Sequence, residues 1–124
     1  MPDRHTATDL LLTIAEGTRL RILNSLAAAP LFVSDLQSLL GLPQPTVSRH
    51  LRVLREIGVV RDTPIGPYVV YRLDRAGGPR GRMLSMVLDA IAQDEQMRAE
   101  RHLAHRRSRE HFRERTEALV EALS

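Results

Sequence analysis

The segment 44–60 constrains the possible folds more than any other part of the chain. Its apolar residues recur at a spacing that, at 100° per residue, places them on one face of a helix. These residues are Val47, Leu51 and Leu54, with Val53 and Ile57 at the edge of the face. Gly58 ends the pattern, and the β-branched residues Val59 and Val60 begin a strand-like run. The segment therefore predicts an amphipathic helix that packs into a domain and leads into a strand.

The opposite face of this helix is polar and basic. It is centred on Arg52 and holds Pro45, Ser48 and Arg49, flanked by Gln44 and Arg55. Short hydrogen-bonding groups and arginines are the side chains with which a helix in the major groove contacts base edges and phosphates. His50 falls inside the apolar arc, so we expect from it either a structural hydrogen bond or a phosphate contact. An ordinary surface helix is the alternative, and a short helix before the segment and a hairpin after it argue against that alternative.

The charge of the chain is concentrated where this helix is predicted. The formal net charge is only +3, but all 18 basic residues are arginine. The planar guanidinium suits guanine edges and phosphates, although a GC-rich genome explains the absence of lysine equally well. From Arg49 to Arg61 four arginines stand against the single acid Glu56, as expected of a nucleic-acid-binding surface. Aromatic residues make up 3% of the chain, which argues against binding of single strands by base stacking.

Absent residues and patterns exclude several classes of protein. The chain has no cysteine, which rules out disulfides, thiolate metal sites and thiol redox sensing. No hydrophobic run approaches the length of a membrane span and the start lacks a signal-peptide pattern, so we expect a cytoplasmic protein without a membrane partner. No phosphate-binding glycine loop, cysteine nucleophile or recognisable set of metal ligands is present. We therefore expect neither an enzyme nor a resident cofactor.

Two helices are predicted at the start of the chain. Residues 9–15 are strongly apolar and predict a first helix. Its apolar surface exceeds what one small domain can bury, which suggests a partner chain. Gly17 breaks the pattern, and residues 18–28 predict a second helix with a broad apolar face that Pro30 ends.

A short third helix is predicted just before the segment 44–60. Ser34 and Gln37 form a capping box in which Ser34 is the N-cap residue. Gly41 is the matching C-terminal signal. Residues 41–43 then form the turn of a helix-turn-helix, and Pro45 suits the first turn of the following helix because its missing N–H would be unpaired there.

A β-hairpin is predicted after the polar helix. Residues 59–63 and 68–73 are rich in β-formers, and residues 64–67, Pro-Ile-Gly-Pro, read as a four-residue loop between them. Residues 74–78 are predicted to form a second loop.

The C-terminal third of the chain is predicted to be helical. A helix starting at Pro79 carries a packing face at spacings of three and four, formed by Met83, Met86, Val87, Ala90 and Ile91. Asp94 is the expected N-cap residue of a charge-rich tail with seven arginines and three histidines in 98–115. That tail could be a solvated helix, a helix packed on its symmetry mate, or a partly disordered arm. We therefore divide the chain into a DNA-binding domain, 1–93, with dimerisation helices, and a charged helical extension, 94–124.

Residues 9–93 resemble the ArsR/SmtB family of winged-helix transcriptional repressors. The resemblance is carried by GTRLRIL at 17–23, VSDL at 33–36, GL at 41–42, QPTVSRHL at 44–51, LREIGVV at 54–60 and VVYRL at 69–73. It implies a mainly α fold with a small β-hairpin wing, and a homodimer joined through its first and last helices. It also implies two recognition helices in successive major grooves of an inverted-repeat operator, and release from that operator when an effector binds.

The chain departs from the metal-sensing members of the family at two sites. Members that sense arsenite, cadmium or lead carry Leu-Cys-Val-Cys-Asp-Leu where this chain has Leu-Phe-Val-Ser-Asp-Leu at 31–36. Phe32 cannot bind a metal, so that sensor site is absent. The second family site needs Asp-x-His followed ten residues later by His-x-x-Glu, a spacing that does not occur here. His102 and His105 lie one turn apart near Glu100 and His111, so a non-standard zinc or nickel site is chemically possible. A solvated helix face is favoured, and no metal is predicted.

Two further departures concern the expected DNA contacts. Pro43 stands where many relatives have a capping serine, so the cap of the recognition helix must come from elsewhere. The wing tip at 64–67 is rigid and apolar, which leaves phosphate contacts to Arg61, Arg72 and Tyr68. The residues expected at the DNA are Gln44, Thr46, Ser48, Arg49, His50, Arg52, Arg61 and Arg72. The alternative function is a protein-interaction module on the same scaffold, which the apolar wing tip and the long tail would suit.

Overall fold

The computed structural model describes residues 6–75 and 77–123. Its elements, in chain order, are α1 (Ala7–Ile14), α2 (Gly17–Ala28), β1 (Leu31–Phe32), α3 (Val33–Leu40), α4 (Gln44–Glu56), β2 (Val60–Ile65), β3 (Tyr68–Leu73), α5 (Gly78–Ile91) and α6 (Glu95–Leu123). The strands form one antiparallel sheet in the order β1-β3-β2. The predicted fold class, mainly α with a small hairpin wing, is confirmed. Outside the described part lie the start of the predicted domain 1–93, residue 76 of the predicted loop and the last residue of the predicted extension.

The core lies between the helices and one side of the small sheet. The predicted apolar face of α4 is confirmed, because Val47, Leu51 and Leu54 are buried together with Leu23 of α2 and Leu36 of α3. Burial of aliphatic side chains on this scale is the main favourable term that holds α4 on the domain. The described helices include none that is long and apolar enough to cross a bilayer.

The boundary between α1 and α2 differs from the prediction in one respect. Gly17 is the first residue of α2 instead of a break before it. The N-cap residue is Glu16, whose carboxylate accepts the backbone N–H of Arg19 at 2.8 Å. Thr6 and Asp9 form a reciprocal capping box at the start of α1, which begins two residues earlier than predicted.

The predicted cap of α3 is wrong. The helix begins at Val33, and Phe32 occupies the N-cap position, so Ser34 already lies inside the first turn. The fully buried Asp35 closes the helix start instead, since its Oδ2 accepts the backbone N–H of Phe32 at 3.0 Å. The prediction of Gly41 at the other end is confirmed, with Gly41 in the left-handed conformation at φ 67°.

The wing is longer and its turn tighter than predicted. β2 continues through Pro64 to Ile65, which pairs with Tyr68, so the turn is the two residues Gly66 and Pro67 and not the four residues 64–67. Gly66 has φ 58°, a conformation that glycine adopts without the steric cost of a side chain. The short strand β1 was not predicted, since two residues carry no periodic signal.

The packing face of α5 also differs from the prediction. Leu84 and Leu88 are the fully buried residues, whereas Met86 is 71% exposed. Met83, Val87 and Ile91 contact the core only in part. The helix begins at Gly78, one residue before the predicted Pro79.

The tail is a single helix packed against its own chain, an arrangement outside the three predicted alternatives. Asp94 is confirmed as its capping residue, with Oδ2 accepting the backbone N–H of Met97 at 2.9 Å. Glu100 pairs with Arg21 of α2 at 2.7 Å. Arg101 donates to Oδ1 of Asn24 at 2.6 Å and to the carbonyl oxygen of Leu88 at 2.7 Å, so one guanidinium joins α2, α5 and α6.

Candidate nucleic-acid interface

The α3–turn–α4 arrangement presents the start of α4 at the surface. Gly41 reverses the chain after α3, and its N–H donates to the carbonyl oxygen of Gln37 at 2.9 Å. Pro43 is the N-cap residue of α4 and offers no side-chain cap. Its carbonyl oxygen instead accepts the N–H groups of Thr46 and Val47 at 3.1 and 3.2 Å. The first turn of α4 is thus closed by backbone bonds alone, which leaves the neighbouring side chains free to face a ligand.

The side chains predicted to contact DNA lie together on the outer face of α4. Gln44, Arg49 and Arg52 are exposed, while Thr46 and Ser48 are half-buried. A groove of about 320 Å³ runs along this face and is lined by Pro45, Ser48, Arg49, Arg52, Arg55 and Tyr71. Because Tyr71 belongs to β3, the groove joins the helix to the base of the wing. A ligand in it would contact both elements.

An ion pair links the wing to α4. Nη1 of Arg55 donates to Oδ2 of Asp62 on β2 at 2.9 Å, a pair that the sequence reading did not identify. Burial raises the pKa of the Tyr71 phenol and nearby Asp62 raises it further, against an opposing effect of Arg55. Tyr71 therefore stays protonated at neutral pH and keeps a hydroxyl donor at the groove.

Arg61 and Arg72 lie directly opposite each other on β2 and β3. Both side chains are exposed, and like charges in this position repel each other across the ladder. Arg61 is partly neutralised by Asp74, whose Oδ2 lies 3.6 Å from Nε. Two adjacent arginines, of which Arg61 is paired with Asp74, favour an anion on this side of the wing.

His50 is directed away from the other predicted contacts. Its Nδ1 lies 3.5 Å from Nη1 of Arg19 and 3.8 Å from Oε2 of Glu16, both at the start of α2. Burial raises the pKa of Glu16, but hydrogen bonds from the N–H groups of Arg19 and Thr18, with the charges of His50 and Arg19, outweigh it and lower the pKa. These contacts support the structural alternative for His50.

A basic side chain from α5 closes the other end of α4. Arg80 donates through Nη2 to the carbonyl oxygen of Ile57, the C-cap residue of α4. A cation at a helix C-terminus compensates unpaired carbonyls and the negative end of the helix dipole. This role of Arg80 could not be predicted from the sequence, because an arginine in the first turn of α5 carries no local signal of its partner.

The candidate metal ligands do not form a site in the described part of the chain. His102 and His105 are exposed on α6. Within residues 6–75 and 77–123, no group of three or more histidine, aspartate or glutamate side chains could hold a metal ion. His111 faces the opposite way and contacts Asp35 at the start of α3.

Comparison with known proteins places the chain among bacterial regulators. A family profile described as "Bacterial regulatory protein, arsR family" matches residues 16–62. The chain is 44% identical over 64 residues to the HTH-type transcriptional regulator Rv2034 of Mycobacterium tuberculosis, a match covering 52% of this chain and 60% of that protein. The chain thus spans about 60% of the length of the curated relatives it matches first.

Two solved structures have the same fold. The transcriptional repressor BigR from Xylella fastidiosa superposes with a TM-score of 0.60 at 28% identity, covering 69% of this chain and 82% of that one. A possible transcriptional regulator for arsenical resistance gives 0.55 at 34% identity, covering 73% of this chain and 92% of that one. The chain belongs to the ArsR family of bacterial regulatory proteins, whose members are transcriptional regulators and not enzymes.

Proposed function

We propose that the protein is a transcriptional repressor that binds double-stranded operator DNA as a homodimer. The observation that carries the proposal is the exposed polar face of α4, which is continuous with a groove that reaches the wing. A helix of this kind inserts its N-terminal half into the major groove while the wing follows the phosphate backbone. BigR, a relative of the same fold, is named a transcriptional repressor.

The roles of the side chains follow from their positions. Arg49 and Arg52 are exposed and long enough for bidentate contact with guanine, which makes them the readers of sequence. Gln44, Thr46 and Ser48, at the start of α4, would make shorter contacts to bases or phosphates. Arg61 and Arg72 would bind phosphates through the wing, and His50 would hold α4 against α2.

The dimer would form through the first and last helices of the predicted domain 1–93, α1 and α5. Leu11 and Leu12 on α1 and Met86 on α5 are large apolar side chains left exposed in one chain. Two copies would place their α4 helices about 34 Å apart, one turn of DNA, and so require an inverted repeat. Binding of an effector would release the dimer from its operator. Protein and operator would both lie in the cytoplasm.

The first experiment is a mobility-shift titration with DNA from the promoter beside the protein's own gene. Arg49→Ala or Arg52→Ala should each cost about 1–3 kcal/mol of binding free energy and relax specificity at one base position. Arg106→Ala is the matched control, because it removes an exposed arginine from the outer surface of α6. Equal binding by both α4 variants and the wild type would show that this face does not read DNA.

Salt dependence separates operator binding from the alternative function, a protein-interaction module. If the protein contacts phosphates, the logarithm of the association constant should fall linearly with the logarithm of the salt concentration. The slope of that line should be roughly −0.9 for each phosphate neutralised. Absence of any operator binding at low salt would favour the protein-interaction module. The apolar wing tip that would suit that alternative already has one contact within the chain, since Leu119 packs on Gly66.

A further inference from the structure

The outer half of the wing receives no support from the rest of the sheet. β1 pairs with β3 only through Leu31 with Tyr71 and Phe32 with Val70. Beyond Val70 the hairpin is a two-stranded ribbon that ends at Gly66. Such ribbons are marginally stable in water unless another element packs on them. The orientation of the outer wing must therefore be set by something outside the sheet.

The second half of α6 supplies that support along the outer wing. The guanidinium carbon of Arg115 lies 4.3 Å from the ring centre of Phe32 and 4.4 Å from that of Tyr68. The two rings meet edge to face with centres 5.8 Å apart, and Phe112 adds a third ring beside Phe32. Arg115 thus joins β1 to the first residue of β3 through two cation–π contacts.

The same half-helix is held at two further points. Nη2 of Arg115 donates to Oγ of Ser34 at 3.0 Å, which ties the guanidinium to the first turn of α3. Leu119 packs so closely on the wing turn that a Cβ at Gly66 would lie 2.6 Å from its Cδ2. Contacts to α3, β1 and the wing tip therefore all come from one face of one helix.

We propose that α6 positions the wing for DNA binding and that Arg115 is the positioning residue. The inference rests on the proposed operator binding. Arg61 and Arg72 lie at the base of the hairpin, on the two strands whose outer ends α6 holds. A hairpin that is held at its outer end as well as at its base moves less, so both arginines would contact phosphates at lower entropic cost. Arg115 itself is turned towards protein rings and Ser34, so its effect on DNA passes through the wing.

The test compares Arg115→Ala with Arg113→Ala in the full chain. Arg113 lies on the same helix, is 81% exposed and, among the described residues, pairs only with Glu117, at 3.9 Å. The control therefore removes the same charge without touching the wing. Arg115→Ala should weaken operator binding by about tenfold, as expected for loss of two cation–π contacts that fix an orientation, while Arg113→Ala should bind nearly as the wild type does.

Hydroxyl-radical footprinting shows whether the loss of operator affinity in Arg115→Ala comes from the wing. Arg72→Ala first marks the backbone positions that the wing protects. Arg115→Ala should lose protection at those positions and keep it where α4 lies, a pattern that general destabilisation would not produce. Circular dichroism checks the fold. Leu119→Ala, which truncates the side chain that packs on the wing tip, should give the same selective loss if Arg115→Ala does not fold.

The outcomes are distinguishable. Wild-type protein that binds no operator refutes the proposed function. Wild-type binding with an unchanged footprint in Arg115→Ala or Leu119→Ala overturns the positioning role alone. An equal loss of affinity in Arg115→Ala and Arg113→Ala would show a simple charge effect and overturn it as well.

Discussion

Asp35 is a buried acidic residue that is held by contacts on both of its carboxylate oxygens. It is 0% exposed, its Oδ2 accepts the N–H of Phe32 at 3.0 Å, and its Oδ1 contacts Nδ1 of His111. A buried carboxylate is tolerated only where hydrogen bonds and an opposite charge compensate its lost hydration. Asp35 therefore joins the start of α3 to α6.

Removal of the partner of Asp35 should be costly. His111→Ala leaves one carboxylate oxygen of Asp35 buried without its contact, which should lower the free energy of unfolding by about 1–3 kcal/mol. His105→Ala is the matched control on the same helix, because His105 is exposed and should change stability by less than about 0.5 kcal/mol. Urea denaturation at neutral pH measures both, and equal stability of the two variants would contradict the role given to Asp35.

Glu16 should make stability depend on pH in a defined direction. Because the net effect lowers its pKa below the ordinary value of 4.5, the charged form stabilises the folded state above that value. This stabilisation is lost as pH falls through the lower, folded-state pKa. The side chain is 39% exposed, so solvent screening limits the effect, and Glu16→Gln should cost roughly 0.5 kcal/mol at pH 7.

Thermal unfolding of wild type and Glu16→Gln from pH 7 to pH 2.5 measures this dependence. The two curves should differ at pH 7 and converge in the acid range. A difference that grows on acidification would have the wrong sign for a carboxylate cap.

At the scale of single elements, the sequence predicts those structural features that depend on residues close together in the chain. The apolar face of α4 and the left-handed Gly41 follow from periodicity and turn chemistry, and both are confirmed. The cap of α3 was misplaced because Ser34 also fits a capping box. Asp35 closes the start of the helix instead of Ser34, because Asp35 is buried against His111, which is 76 residues away in the chain. The packing of α6 and the strand β1 depend on such distant contacts throughout, and no local pattern reports them.

The turn between α3 and α4 allows a direct test of whether local backbone conformation decides which residue a position tolerates. Gly41 has φ 67°, and an added Cβ would meet no atom within 4 Å, so Gly41→Ala costs only backbone strain, about 1 kcal/mol. A Cβ added at Gly17 would also meet no atom within 4 Å, but Gly17 does not have a positive φ. It is the first residue of α2. Gly17→Ala should therefore stabilise the protein by about 0.5 kcal/mol. Thermal unfolding compares the pair, and shifts of the same sign would contradict the conformational argument.

At the scale of the whole molecule, arginines join the helices that surround the proposed interface. Arg80 connects α5 to the end of α4, and Arg101 connects α5 to α2 and α6. Both guanidinium groups bind backbone carbonyl oxygens at helix ends, where a cation also offsets the helix dipole. A change in the position of α5 would thus be transmitted to α4 and α6. In a dimer joined through α1 and α5, the spacing of the two α4 helices would follow from that interface.

The exposed apolar side of α1 forms part of the proposed dimer interface. α1 buries Leu10 and Ile14 in its own chain, whereas Leu12 is 69% exposed, so within the described residues an apolar side of this helix stays open to solvent. Leu12→Glu places a charge in the proposed interface, where desolvation without a partner is costly, and should convert the dimer to a monomer. Operator affinity should then fall by at least tenfold, about 1.4 kcal/mol, because the two half-sites are no longer bound together.

Leu123→Glu introduces the same charge at a comparably exposed leucine near the end of α6 and is the matched control. Sedimentation equilibrium gives the oligomeric state of each variant, and mobility-shift titrations give the affinity. The wild type and the Leu123→Glu variant should both sediment as dimers. If the Leu12→Glu variant also remains dimeric, the interface lies elsewhere, and the half-site spacing derived from α1 and α5 loses its basis.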